Sequence, residues 1–386
     1  MPAPMTIEGL RIALFSGNYN MTVDGANKAL NRLVEYLQRQ GATVRGYSPT
    51  TDTPAFEPQG TLVSLPSLAI PTRPEYRWPL GIDARVRADL DSFDPHVLHI
   101  SAPDWSARAA VRWARGRGIP VLASVHTRFE TYFRYYKLGF IEGWVESWIR
   151  KLYRKCDALV TPSAGMVEVL RKQGMNDDIS LWERGVDREV FSPARRSLEW
   201  RRAAGIADDT VAVGFLGRLV MEKGLDAFAD TIAELKQRGV PHGVLVIGDG
   251  PAREWFEERL PGAAFVGFQG GKDLGRAVAS MDVLFNPSIT ETFGNVTLEA
   301  MACGVPVVAA RATGSTSLVA DGVNGMLVPP GDPAGFADAL ARYIGDPVLR
   351  SAHGAAGEER SRAYSWDAIN QAVADTYLRL IAARAG

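Results

Sequence analysis

The chain has 386 residues, a length that suggests two domains. Its 46% hydrophobic and 23% charged residues are ordinary for a globular protein, and a formal net charge of −1 gives no electrostatic reason to expect nucleic acid as a partner. The two cysteines, Cys156 and Cys303, offer neither a disulfide framework nor a metal spacing, and they fit a reducing cytosol.

The opening stretch "MPAPMTIEGLRIALFSG" lacks a basic segment followed by an apolar run, so it reads as a tail entering a strand rather than a signal peptide. No apolar stretch reaches the ~18 residues of a membrane span, so any membrane attachment would be peripheral. In chain order, the runs "RIALFSG", "HVLHIS", "PVLASVH", "ALVTPS", "VAVGFLGR", "GVLVIGDG", "VLFNPS" and "PVVAA" are short, mostly apolar on both sides and bounded by Gly, Pro or Ser. They predict buried parallel strands. Helical patterns alternate with them, for example "GANKALNRLVEYLQRQG", with Gly41 as its stop. The alternation predicts an α/β fold. The polar stretch 191–210 interrupts it and reads as the connection between two doubly wound domains. We expect an N-terminal domain over 1–195, a C-terminal one over 205–365, and a terminal helix over 366–386 that crosses back to the first. A cleft is expected where the carboxyl ends of the strands face each other.

Several residues stand where chemistry is expected. His126 ends the strand "PVLASVHT" at the mouth of that cleft. His96 and His99 lie three apart on a strand and point to opposite faces, so they cannot share a metal. "DLD" at 89–91 sits in a polar helical pattern. No metal site is expected. Residues 128–155, "RFETYFRYYKLGFIEGWVESWIRKLYRK", combine aromatics (Tyr132, Trp144 and Trp148 among them) with Arg128, Arg134, Lys137, Arg150, Lys151, Arg154 and Lys155 against three glutamates. That mixture suits an anionic bilayer interface; the alternative is an ordinary helix with its aromatics packed inward. In "GFLGRLVMEKG", Arg218 and Lys223 follow a strand-end glycine. They either converge on a diphosphate or are solvated. In "VIGDGPAREW", Arg253 occupies the place of the third glycine of a dinucleotide fingerprint, which disfavours a nicotinamide enzyme. "FNPSITETFGNVTLEAMACG" sets Glu291 in a loop and Glu299 a turn into a helix. The backbone amides of Phe293, Gly294 and Asn295 lie at that helix start, a natural anion site.

Taken together, "GRLVMEKG", "VIGDGP", "PSITETFGNVTLEAMACGVPVVA" with its Glu-x7-Glu, and "DGVNGMLVPPGD" resemble the retaining GT-B glycosyltransferases of family 4, over nearly the whole chain. "NMTVDGANKALNRLVEYL", "HTRFETYFRYY" and "LWERGVDREVFSP" resemble the subgroup of sulfoquinovosyl-diacylglycerol synthases and lipid mannosyl- and glucuronosyltransferases. The resemblance implies two Rossmann-like domains and transfer of a hexose from a nucleotide-sugar, with no metal and no further cofactor. It implies a UDP-sugar donor, with GDP-mannose as the alternative, and a lipid hydroxyl of diacylglycerol or ceramide as acceptor. The enzyme would lie on the cytoplasmic face of an anionic membrane. Arg218 and Lys223 would hold the diphosphate, Glu299 the ribose and Glu291 the sugar hydroxyls. The amides of Phe293, Gly294 and Asn295 would cap a phosphate, and Gly248 would lie on the donor side. His126 would stand beside the anomeric carbon, and Gly17 and Gly25 would let backbone approach the substrates. An anionic sugar could be met by Arg128 and Arg184; the latter stands where many relatives have Asn. A nucleotide-sugar epimerase, a phosphorylase and a non-catalytic sugar- or membrane-binding module are the other-class alternatives.

Overall fold

A strand that is apolar on both faces is stable only where helices cover both sides of its sheet. Val97–Ile100, Val121–Ser124 and Ala158–Thr161 are buried at every position, and the chain satisfies them by alternating strand and helix. The computed structural model describes residues 6–22, 25–70, 73–126 and 142–385. The chain divides into two units, Met1–Arg184 with Trp366–Gly386, and Gly185–Ser365.

In the first unit the strands are β1 (Arg11–Phe15), β2 (Thr43–Ser48), β3 (Thr61–Ser64), β4 (Ser67–Ile70), β5 (Arg73–Pro79), β6 (Val97–Ile100), β7 (Val121–Ser124), β8 (Ala158–Thr161) and β9 (Ile179–Leu181). Among the described residues they build a seven-stranded parallel sheet, β3-β2-β1-β6-β7-β8-β9, with β4 and β5 as a separate antiparallel pair. The helices are α1 (Gly25–Arg39), α2 (Ala84–Phe93), α3 (Trp105–Arg115), α4 (Glu142–Tyr153) and α5 (Ala164–Lys172). Asp83, Asp104 and Ser163 cap α2, α3 and α5 by accepting the amide protons of Val86, Ala107 and Met166.

The second unit has α6 (Leu198–Ala203), β10 (Ala212–Leu216), α7 (Leu225–Gln237), β11 (Gly243–Ile247), α8 (Arg253–Arg259), β12 (Ala264–Phe265), α9 (Gly271–Ala279) and β13 (Val283–Asn286). It continues through α10 (Asn295–Ala302), β14 (Val307–Ala310), α11 (Ser315–Leu318), β15 (Gly325–Val328), α12 (Pro333–Gly345) and α13 (Pro347–Ser361). Its parallel sheet runs β12-β11-β10-β13-β14-β15.

The polar stretch over 191–210 is not a free connection. Arg201 is fully buried, donating to Asp282 at 2.9 Å and to the Ser280 carbonyl at 2.7 Å. Arg196 reaches the same carboxylate at 2.7 Å. A Cβ on Gly275 would lie 1.9 Å from the Val190 carbonyl oxygen, so α9 packs directly on the chain at the entry to this stretch. The chain therefore changes unit at Arg184–Gly185, earlier than polarity alone indicates.

The terminal helix α14 (Trp366–Ala385) belongs to the first unit. It is bound through buried polar groups: Tyr377 OH lies 2.6 Å from His99 Nδ1, and Trp182 Nε1 donates to Asn370 Oδ1 at 3.2 Å. His96, the other histidine of the pair, accepts the Arg11 amide on Nδ1. Burial pushes the His99 imidazole down to about 3. The folded chain thus refuses a proton that the unfolded chain accepts below its ordinary value of about 6.5. This contribution is fully present above about 6.5 and is lost as the pH falls towards 3. We predict that denaturant midpoints decline over this range, and that His99→Phe declines less steeply. Equal slopes would show that His99 takes no part.

Candidate functional site

In the second unit the chain runs from β10 outward to β11 and β12, then returns to place β13 against the other side of β10. At such a reversal the loops leaving the two central strands diverge, and a crevice opens beyond their carboxyl ends. The residues singled out from sequence come from these two loops. Lys223 ends a 3-10 turn, Met221–Lys223, after β10; Glu291 lies in the loop after β13. Lys223 Nζ is 2.5 Å from Glu291 Oε1, with side-chain exposures of 31% and 17%. The loops are also tied by Thr290 Oγ1, which donates to the Glu222 carbonyl at 3.1 Å. Arg218 is exposed, with no side-chain hydrogen bond or ion pair among the described residues.

Two further loops brace this arrangement. A Cβ on Gly248, where φ is +136°, would lie 1.9 Å from the Gly217 carbonyl oxygen. The glycine there is required by backbone packing of the β11 loop on the β10 loop, which Leu219 N–H closes on the Asp249 carbonyl at 2.9 Å. Behind Glu291, a Cβ on Gly314 would lie 2.7 Å from the Glu291 carbonyl oxygen and 2.9 Å from the Phe293 carbonyl carbon. The loop after β14 therefore fixes the path of 291–293, a role the sequence reading missed; the glycine in "RATGST" is its only trace.

Gly294, at φ +99°, begins α10 and has no side chain to cap it, which leaves the first-turn amides for a ligand. Phe293 contributes only backbone here, since its ring is 2% exposed and packs edge-on against Tyr364. Glu299 is half-buried in the second turn of α10. Asn295 Oδ1 and Ser315 Oγ are buried with no hydrogen-bond partner among the described residues. Such atoms cost free energy unless something satisfies them.

In the first unit the strand order reverses between β1 and β6. Gly17 follows β1, and a Cβ on it would lie 2.9 Å from Asp104 Oδ2. Asp104 follows β6; its Oδ1 accepts from Ser106 Oγ at 2.6 Å and Ala107 N at 2.9 Å, while burial raises its carboxyl above the ordinary range. Gly25 is the first residue of α1. His126 lies just past β7, buried. Its Nδ1 is 2.7 Å from Arg184 Nη2 and its Nε2 is 2.9 Å from Ser124 Oγ. A guanidinium can only donate, so Nδ1 is the acceptor and the ring proton resides on Nε2. Burial, then the Arg184 charge, then His99, hold this imidazole well below its ordinary value, so it is neutral near pH 7.

Arg184 itself is 4% exposed, and burial lowers it to about 10. It also donates to the carbonyls of Trp182 (2.8 Å) and Glu183 (3.0 Å). Its guanidinium is thus engaged inside the unit by His126 and backbone oxygens, so meeting an anionic sugar would require it to give up one of these partners.

The basic, aromatic segment divides. Arg128, Tyr132 and Arg134 lie outside the described residues. Trp144 is 71% exposed on α4, whereas Trp148 packs partly against the core. Arg150 pairs with Glu146 one turn earlier, and Arg154 Nε donates to the Gly174 carbonyl at 2.8 Å. Only Lys151 and Lys155 of that quartet stand exposed without a side-chain partner among the described residues. No helix among the described residues is long and apolar enough to cross a membrane.

Two family profiles match the chain: "Glycosyltransferase Family 4" over 23–190 and "Glycosyl transferases group 1" over 210–346. The chain is 29% identical to a GDP-mannose-dependent alpha-mannosyltransferase of Corynebacterium glutamicum, over 97% of this chain and 90% of that one. It is 30% identical to the sulfoquinovosyl transferase SQD2 of Arabidopsis thaliana, over 93% of this chain and 71% of that one. Among solved structures, sucrose-phosphate synthase from Thermosynechococcus elongatus aligns with a TM-score of 0.80 at 21% identity, covering 97% of this chain and all of the other. With two doubly wound units and these likenesses, the chain belongs to the family 4 glycosyltransferases, with the GT-B fold.

Proposed function

We propose that the protein is a retaining, metal-independent transferase that moves a hexose from a nucleotide-sugar to a hydroxyl of a membrane lipid. The observation that carries the donor half is the Lys223–Glu291 pair at the strand-order reversal of the second unit. The two charges satisfy each other. A nucleotide-sugar offers each a better partner: a diphosphate for the ammonium, and sugar hydroxyls for the carboxylate. Arg218 adds a fork-shaped donor to the diphosphate, and the uncapped start of α10 adds amides. Glu299 takes the ribose. The Asn295 and Ser315 oxygens, buried and unpartnered among the described residues, would take remaining hydroxyls.

The chemistry follows from where charge develops. As the anomeric carbon–oxygen bond breaks, the electron pair leaves with the diphosphate. Fixed cations and helix amides stabilise that charge without needing to reorganise. The acceptor hydroxyl forms the new bond from the same face and passes its proton to the departing phosphate oxygen. The anomeric configuration is thereby retained. His126, held neutral with its proton on Nε2, adds no cation beside the developing oxocarbenium.

The subgroup resemblance read from the sequence favours a UDP-sugar donor and a lipid acceptor such as diacylglycerol or ceramide, and the likeness to a sulfoquinovosyl transferase agrees with that subgroup. The case for an anionic sugar such as glucuronate rests on Arg128, since Arg184 is occupied. GDP-mannose is the second reading, favoured by the full-length likeness to a mannosyltransferase. No observation favours an epimerase, a phosphorylase or a binding-only module.

Arg218→Ala and Lys223→Ala should each lower turnover by about 10²–10³-fold, the size expected for one lost stabiliser of transition-state charge; near-normal turnover in either would remove that residue from the site. Nucleotide release should be undiminished by excess EDTA. Loss reversed by Mg²⁺ or Mn²⁺ would overturn metal independence. A donor panel read by nucleotide release, with diacylglycerol or ceramide supplied in vesicles, should show UDP-sugars as the better substrates. Exclusive use of GDP-mannose would establish the second reading, and a faster soluble acceptor would overturn the lipid one.

A further inference from the structure

In the first unit, α3 and α4 connect β6 to β7 and β7 to β8, which are neighbours in the sheet. Successive right-handed crossovers in one direction place both helices side by side on the same face. The groove between them is a cavity of about 300 Å³ with an apolar floor of Val111 and Leu152. Its walls are cationic: Arg108, Arg112 and Arg115 from α3, Lys151 and Lys155 from the end of α4 and just beyond. Arg115 is held in place, donating to Asp157 at 3.1 Å and to the Lys155 carbonyl at 2.8 Å. Arg108, Arg112, Lys151 and Lys155 make no side-chain hydrogen bond or ion pair among the described residues.

Folding alone does not account for this. Arg108 and Arg112 are four apart on α3, a spacing at which like charges repel, and Lys151 at the end of α4 and Lys155 just beyond it line the same groove. Other arginines of this unit are matched by carboxylates, Arg39 with Asp367, Arg45 with Asp89, Arg117 with Asp91 and Arg379 with Asp178, and exposed arginines without a partner among the described residues, such as Arg87 and Arg171, stand singly rather than in a cluster. An anion in the groove would relieve the repulsion. What distinguishes a lipid from a free anion lies at the other end of the same helix faces. Trp105 precedes the arginines on α3 and is 53% exposed; Trp144 precedes the lysines on α4 and is 71% exposed. Both stand at helix starts, hence at the carboxyl edge of the sheet, the edge that carries Gly17 and His126. Exposed indoles beside cations are what a bilayer interface selects, and a small soluble anion has no use for them.

We propose that the α3–α4 groove binds the phosphate of anionic phospholipid headgroups, with Trp105 and Trp144 entering the interface beside it. The choice of lipid over a soluble anion rests on the membrane-lipid reading above. The docking face is therefore shared between α3 and α4, and Arg150 and Arg154 are not its cations.

The test uses the full chain and vesicles of phosphatidylcholine with or without phosphatidylglycerol. Wild type should float with the anionic vesicles and not the neutral ones. The variant Arg108→Gln/Arg112→Gln/Lys151→Gln should lose affinity by about fivefold per charge, roughly 10²-fold in all. A charge-matched control at exposed positions elsewhere, Lys28→Gln/Lys236→Gln/Lys272→Gln, should bind as wild type does. Both variants should release nucleotide from the donor in the absence of vesicles at the wild-type rate, which separates this inference from the catalytic reading. Equal losses in groove variant and control would mean that only net charge acts. Calorimetric binding of inorganic phosphate, lost in the groove variant and accompanied by no vesicle binding in wild type, would mean a soluble occupant. Either result overturns the proposal. If wild type binds vesicles as described but releases no nucleotide from any donor, the proposed function fails and the groove stands.

Discussion

Lys223 and Glu291 arise 68 residues apart in sequence, yet meet at 2.5 Å because the second sheet reverses its strand order between β10 and β13. Both are partly shielded from water, so neither charge is cheap to leave alone. The pair balances the two charges against each other and fixes where each group stands. Its geometry depends on backbone contacts that only glycine allows: Gly248 against Gly217, and Gly314 against the 291–293 loop. A side chain at either position would displace a loop that carries a charged group. The four loops leaving β10, β11, β13 and β14 thus behave as one braced rim, and the uncapped start of α10 opens onto the same rim.

The first unit solves a different problem, which is to hold an imidazole neutral and in one tautomer. Arg184 does this by donating to Nδ1, while Trp182 lies edge-on at 5.2 Å between ring centroids. Trp182 is in turn bound to α14 through Asn370, and His99 through Tyr377. The last helix of the chain is therefore part of the support for a residue some 250 positions earlier.

The strands were legible because runs such as "VLFNPS" are apolar on both faces and bounded by turn residues, a pattern with few structural solutions. The placement of Glu291 in a loop, of Glu299 on a helix and of the helix start between them was legible because one stretch of nine residues carries all three. What was not legible depends on contacts distant in sequence. Arg184 was read only as a cation able to meet an anionic sugar, and nothing local says that its guanidinium bonds a histidine 58 residues away. The stretch 191–210 looked like a connection because its polarity is high; Arg196 and Arg201 are in fact spent on Asp282 and on carbonyls of the second unit. The cations of the α3–α4 groove were half visible. The lysines were noticed, but the Arg108–Arg112–Arg115 stripe in "WSARAAVRWAR" takes on meaning only once the sheet sets α3 beside α4.

The central claim is that one ligand separates the Lys223–Glu291 pair, the diphosphate going to the lysine and the sugar to the glutamate. Calorimetry with a nucleoside diphosphate, which lacks the sugar, tests this directly. Removing the glutamate charge frees the lysine, so Glu291→Gln should bind the diphosphate at least as tightly as wild type, while Lys223→Ala weakens it about tenfold or more. If Glu291→Gln instead weakens diphosphate binding as much as Lys223→Ala does, the pair is a structural brace rather than a divided donor site, and the account is wrong.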